Sequence, residues 1–218
     1  MEALERTFNS NDWITVVFLL SLICLVFARA FFLGRFQNFM ILPFNNKYIF
    51  LYNKKGSLVH GFHLVLTFFT FMNFSLYLVL AGNTLLGVEI YPEASFLILS
   101  GGLLAGFFLI KIGLQLGGSA ILEFKSLASS LVFRKLTYLN YSALVMFAAN
   151  LLLGYVSSNS KPIIFSSLLL ILVINGIGWI SILKIHQKLI AAHLFYFILY
   201  LCALEIAPFL IIAKLLND

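Results

Sequence analysis

The chain has 218 residues, of which 62% are hydrophobic and only 10% charged, and its mean hydropathy is +1.04. So few charges cannot make the polar surface that a globule needs, which excludes a soluble domain and makes lipid the solvent. The net charge of +6 is then an orientation signal with some attraction to anionic headgroups, and it points to no nucleic-acid partner.

Runs near the length that crosses a hydrocarbon core as a helix recur about six times. They cover residues 13–32, 61–81, 96–116, 136–156, 162–183 and 194–216. In lipid every backbone polar group must be satisfied within the segment, and runs this long are not barrel strands. The expected fold is an all-α bundle of about six transmembrane helices, one domain over 1–218, with no internal repeat. Acids stand before the first span where a basic n-region would be, so no cleavable signal peptide is expected there.

After the first span, residues 35–58 mix aromatic and basic residues around Pro43, as expected of a segment lying in the membrane interface. The second span carries a polar stripe: His63, Thr67, Thr70, Asn73 and Tyr77 fall within about 120° on one helix face. Such a stripe must meet protein or water. On the third span, Gly102, Gly106, Gly113 and Gly117 lie within about 60° of one another, a face for close helix packing. Lys111 and Gln115 occupy the opposite face, and Lys111 is near enough to the helix end to reach the headgroups. Residues 119–135 alternate apolar positions (Ile121, Leu122, Phe124, Leu127, Leu131, Val132) with polar ones (Glu123, Lys125, Ser126, Arg134, Lys135), and read as a second interfacial helix.

The basic residues alternate in side. Arg29, Arg35, Lys47, Lys54 and Lys55 follow span one; Lys111, Lys125, Arg134 and Lys135 flank the third connection; Lys184 and Lys188 precede span six. Only Arg6, Lys161 and Lys214 fall on the other side. The positive-inside rule makes the first group of connections cytoplasmic and puts both termini outside.

Glu205, in the last span, is too deep for a short carboxylate to reach either interface, so it must be protonated, paired or beside water. Pro208, three residues on, cannot donate to the Leu204 carbonyl and predicts a helix kink there. By depth, Asn73, Asn150, Asn175 and Glu205 fall near the midplane, with Thr70 and Tyr77 close by. They form a candidate intramembrane polar site, read either as interhelical glue or as a path for a proton, lipid or small molecule. His60, His63, His186 and His193 stand at span ends; His63 and His193 are weak candidates for the axial ligands of a b-type haem. Cys24 and Cys202 lie inside spans, so neither a disulfide nor a metal site is expected, and no catalytic motif points to an enzyme or a cofactor.

The last span, LFYFILYLCALEIAPFLIIAK, with NDWITVVFLLSLICLVFARAFFLGRF and LPFNNKYIFLYNKKGSL earlier, resembles an uncharacterised family, a domain of unknown function, of multi-pass inner-membrane proteins from Bacteroidota. Tyr196, Tyr200, Glu205 and Pro208 carry the resemblance most clearly. It implies a bacterial cytoplasmic-membrane location and transfers no activity.

The expected role is a non-enzymatic subunit or anchor of a cell-envelope complex serving secretion, gliding or envelope assembly. Its expected partners are the bilayer, other envelope membrane proteins and a second copy of itself. The alternative is a small proton-coupled transporter or lipid-handling protein built on the Glu and Asn cluster, and a weaker one is a b-type cytochrome subunit.

Overall fold

Five of the apolar runs are helices long and apolar enough to cross a membrane, with spans Trp13–Phe31, Gly61–Leu85, Leu97–Gln115, Ser129–Val156 and Lys161–Ser181. The computed structural model describes residues 12–45, 47–53, 60–86, 94–121, 125–157, 160–185 and 214. The run at 194–216, with Glu205 and Pro208, lies outside these residues. In chain order the elements are α1 (Asp12–Phe31), α2 (Leu33–Met40), α3 (Lys47–Tyr52), α4 (Gly61–Leu86), α5 (Ala94–Ile121), α6 (Lys125–Leu151) and α7 (Lys161–Ile185). A π-helical turn, Leu152–Val156, ends α6.

Helix α4 is the hub, packing against α1, α5, α6 and α7, while α6 also packs against α5 and α7. Half of the α4 span is buried, against 6% of the α5 span, so α5 is an outer helix. It meets α4 through Leu97, Ser100 and Gly101. The Ser75 hydroxyl donates to the Leu97 carbonyl at 3.2 Å and pairs with the Ser100 hydroxyl, and a Cβ on Gly101 would lie 3.9 Å from that of Ser75. The stripe of Gly102, Gly106, Gly113 and Gly117 is turned away from this contact. A Cβ added at any of the four meets no described atom within 4 Å.

The described part of the segment expected in the interface, residues 35–45 and 47–53, packs onto the ends of the long helices. Helix α1 ends at Phe31, and Phe32 leaves helical geometry at φ −132° before α2 begins. The chain then turns at Ile41–Phe44, where the Phe44 and Asn45 amides donate to the Ile41 carbonyl at 3.0 and 2.9 Å. The Asn45 side chain accepts from the Lys47 amide at 3.0 Å, which starts α3. Phe39, Leu42, Tyr48 and Ile49 are buried together with Phe62, Phe133 and Tyr138. Tyr48 stacks on Phe133 at 6.2 Å with the rings 7° apart, and Phe39 meets Phe62 edge-on at 5.8 Å.

Among the described residues, 119–135 forms no separate helix. Residues 119–121 end α5, and 125–135 are the first turns of α6. Val132, Phe133 and Arg134 are enclosed by neighbouring helices while Lys135 is half-buried, so this stretch packs into the bundle as part of α6.

Two glycines set close approaches. In the π turn, a Cβ on Gly154 would lie 3.4 Å from Ile14 of α1, and the adjacent Tyr155 hydroxyl bonds Thr15 at 2.8 Å. At the α6–α7 crossing, a Cβ on Gly178 would lie 2.8 Å from two ring carbons of buried Tyr138. Gly178→Ala is expected to destabilise the bundle by about 1–3 kcal/mol, because an enclosed ring must move. Gly176→Ala, with no neighbour within 4 Å, should be neutral or stabilising by up to about 1 kcal/mol. Denaturant titration of the purified protein in mixed micelles measures both, and equal effects would refute the close-contact reading.

Candidate functional site: the polar seam along α4

The polar stripe of α4 faces protein along its whole length. His63, Thr70, Asn73 and Tyr77 are all buried, and each meets a different stretch of the neighbouring helices. His63 lies in the α4–α6 seam with Phe133 edge-on at 4.7 Å. The Thr137 hydroxyl donates to the Phe133 carbonyl at 2.6 Å, so its oxygen is left to accept from His63 Nε2 at 3.4 Å. That assignment puts the imidazole proton on Nε2 and leaves Nδ1 to accept from Asn140 at 3.5 Å. Both contacts are long; in this tautomer the one ring lone pair that could bind a haem iron, on Nδ1, faces the Asn140 amide. His193, the other weak haem candidate, lies outside the described residues.

Asn140 is the centre of this part of the seam. Its amide nitrogen also donates to Thr67 at 3.3 Å, and its carbonyl oxygen lies 2.9 Å from the Thr70 hydroxyl. Thr70 shares its one proton between that oxygen and the Leu66 carbonyl, 2.8 Å away. One turn deeper, Asn73 spends both amide protons, on Ser21 of α1 at 3.1 Å and on the Phe69 carbonyl at 2.9 Å. Asn150 of α6 donates to the Asn73 backbone carbonyl at 2.9 Å. Tyr77 ties α4 to α7 through Ser167 at 2.7 Å.

Of the residues expected at one depth, Asn73 and Asn150 are therefore in direct contact. Thr70 belongs to the neighbouring Asn140 group, and Tyr77 reaches α7. Asn175 sits apart, donating to Ser142 of α6 at 2.8 Å and to its own Ile171 carbonyl at 2.8 Å. Glu205 lies outside the described residues. The donors of the three asparagines are used, whereas the side-chain carbonyl oxygens of Asn73 and Asn150 are buried and accept no hydrogen bond.

Sequence reasoning missed Asn140 and Thr137, the residues that organise the seam. The span was started at 136, which put both at a helix end, whereas the helix begins at Lys125. The i, i+3 spacing of Thr137 and Asn140 was the available signal. Ser21, Ser142 and Ser167 were also missed, because a lone serine in an apolar run carries no distinctive pattern. Arg134 reads in the sequence as a topogenic charge and a polar position of the expected interfacial helix. It is buried, donates to Ser181 at 3.3 Å, and leaves its Nε without a partner.

Long apolar helices tied by buried amides and hydroxyls define a multi-pass helical membrane protein. The chain belongs to the family described as Domain of unknown function (DUF4271), whose model matches residues 14–216. No curated protein and no solved structure matches it.

Asn140→Ala is expected to cost about 1–2 kcal/mol, since it takes the amide donor from His63 Nδ1 and the Thr67 hydroxyl and leaves Thr70 only the Leu66 carbonyl. A double-mutant cycle with Thr70→Val should return a coupling near the membrane average of about 0.6 kcal/mol. Reversible unfolding in mixed micelles measures both, and additive effects would remove Asn140 from the centre of the seam.

Proposed function

We propose that the chain is a non-enzymatic, multi-pass anchor or subunit of a cell-envelope complex in a bacterial inner membrane. In this reading the α2–α3 end is cytoplasmic and the termini are periplasmic. The observation that carries it is how the polar side chains of the described bundle are used. From Tyr77 to His63 they hold α4 to α1, α6 and α7, which is the work of interhelical glue. The basic residues gathered toward the α2–α3 end support the orientation. A chain that belongs to such a complex is expected to come out of its own membranes, tagged and in mild detergent, with at least one other membrane protein in fixed ratio. Recovery alone, or only with copies of itself, would overturn the subunit reading.

One observation favours a second reading, a small proton-coupled transporter or lipid-handling protein. The unused carbonyl oxygens of Asn73 and Asn150 are acceptors waiting for a donor, and a protonated carboxyl, a water or a substrate hydroxyl would each supply one. Glu205 is the intramembrane carboxyl that the sequence offers at that depth. Glu205→Gln keeps a donor but cannot ionise. Loss of function with normal folding and assembly supports proton coupling, and retained function counts against it.

A further inference from the structure

Among the described residues, the corner where α2, α3 and the start of α4 meet holds two buried donors with no hydrogen-bond partner, one of them charged. Arg35, half-buried on α2, places its guanidinium carbon 4.4 Å over the Tyr52 ring, and its Nη1 is buried with no hydrogen-bond partner. Tyr48 is fully enclosed and its hydroxyl is likewise without a partner. The ring cannot turn away to find one, since it is clamped by Phe133, by Phe39 at 5.8 Å and by Tyr52 at 5.0 Å. The Arg35 charge reaches both Tyr48 and His60.

His60 adds a third donor. Its Nδ1 accepts the Phe62 amide at 3.2 Å and so caps the start of α4, which puts the proton of the neutral ring on Nε2. Burial, and then the Arg35 charge, hold its pKa below the ordinary histidine value. The first turn of α4 brings the positive end of a long helix to the same place. Among the described residues the only acid is Asp12, at the far end of α1.

A desolvated guanidinium N–H and a desolvated phenol left unpaired each carry a penalty that a structure normally relieves. A neutral water answers the phenol but leaves the charge. An oxyanion answers both, in short charge-assisted bonds. We propose that Arg35 and Tyr48, with His60 beside them, bind a phosphate group, presented by the headgroup of a phospholipid. The lipid source follows from place. The corner lies where α1 ends and α4 begins, at the level of headgroups, and the outer faces of α2 and the turn after it expose Leu33, Met40, Ile41 and Phe44, a surface for acyl chains. This inference stands apart from the complex-subunit reading and does not rest on it.

The test uses the full chain purified in a maltoside detergent, followed by native mass spectrometry and thermal unfolding. The probes are short-chain phosphatidic acid, diacylglycerol with the same chains, and inorganic phosphate. Phosphatidic acid is expected to bind one per chain and raise the unfolding temperature, whereas diacylglycerol does neither. Arg35→Gln should weaken binding about tenfold or more. Tyr48→Phe, which removes one oxygen and keeps the packed ring, should weaken it about threefold to tenfold. Binding should also raise the His60 pKa followed by NMR in the wild type and leave it unmoved in Arg35→Gln. Inorganic phosphate competing as well as the lipid would keep the phosphate chemistry and assign it to a free anion. Binding unchanged in Tyr48→Phe, or diacylglycerol bound as well as phosphatidic acid, would overturn the proposal even if Arg35→Gln failed to fold.

Discussion

In a bilayer one apolar helix gains little by covering another, because lipid tails are as apolar as leucine. The helices of this chain must be held by contacts that lipid cannot offer, and the polar face of α4 provides them. Asn140, Thr70 and His63 join α4 to α6, Asn73 joins it to α1, and Tyr77 joins it to α7. Each such contact contributes about 0.6 kcal/mol, rarely above about 1.7. No single one holds the bundle, but together they fix which face of α4 is inside. Once that face is set, the glycine approach at Gly178 follows, because α7 must come close enough to α6 for Asn175 to reach Ser142.

The aromatic core under α2 and α3 has a different cause. Phe39, Tyr48, Ile49, Phe62 and Phe133 cluster where helices end and begin, close to the bilayer surface, where water is available and covering apolar area is favourable again. Edge-on and stacked ring pairs add specific geometry to that burial. The bundle therefore uses hydrogen bonds along the spans and hydrophobic packing at one end, each where its medium makes it effective. The aromatic cage also holds the Tyr48 hydroxyl in a fixed position, which pure lipid exposure would not.

Much of the fold was legible because lipid imposes length and apolarity on a span. The five described spans fall on the first five runs of the sequence, with ends within two residues except that the second runs four residues further and the fourth starts seven earlier. The buried stripe from His63 to Tyr77 was legible for a related reason, since polar groups on a helix in lipid have to face protein or water. The family was legible in the motifs of the first and last runs. What was not legible is pairing. Depth alone grouped Asn175 with Asn73, but they lie on helices that meet α6 at different places, at Ser142 and at Asn150. The segments at 35–58 and 119–135 looked interfacial because amphipathic sequence serves equally to lie on a membrane or to pack under a short connection. Which one occurs depends on neighbours that the pattern does not encode.

Besides Arg134 Nε, the described residues leave buried polar atoms unused in two places of opposite character. At the corner by His60 the unused groups are donors, Arg35 and Tyr48; at Asn73 and Asn150 they are carbonyl acceptors. Asn73 lies thirteen positions beyond His60, about 20 Å along the helix axis, so no single headgroup spans both. An anion held at the corner gains nothing by moving inward, since the seam offers it carbonyl oxygens and protons that are already committed. A proton gains at the centre and finds only competing donors at the corner, whereas a water there can accept from the phenol but leaves the Arg35 charge unanswered. The separation of sign keeps the two sites chemically independent: an anion seated at the surface can steady the α2–α3 corner while the interior stays closed to it.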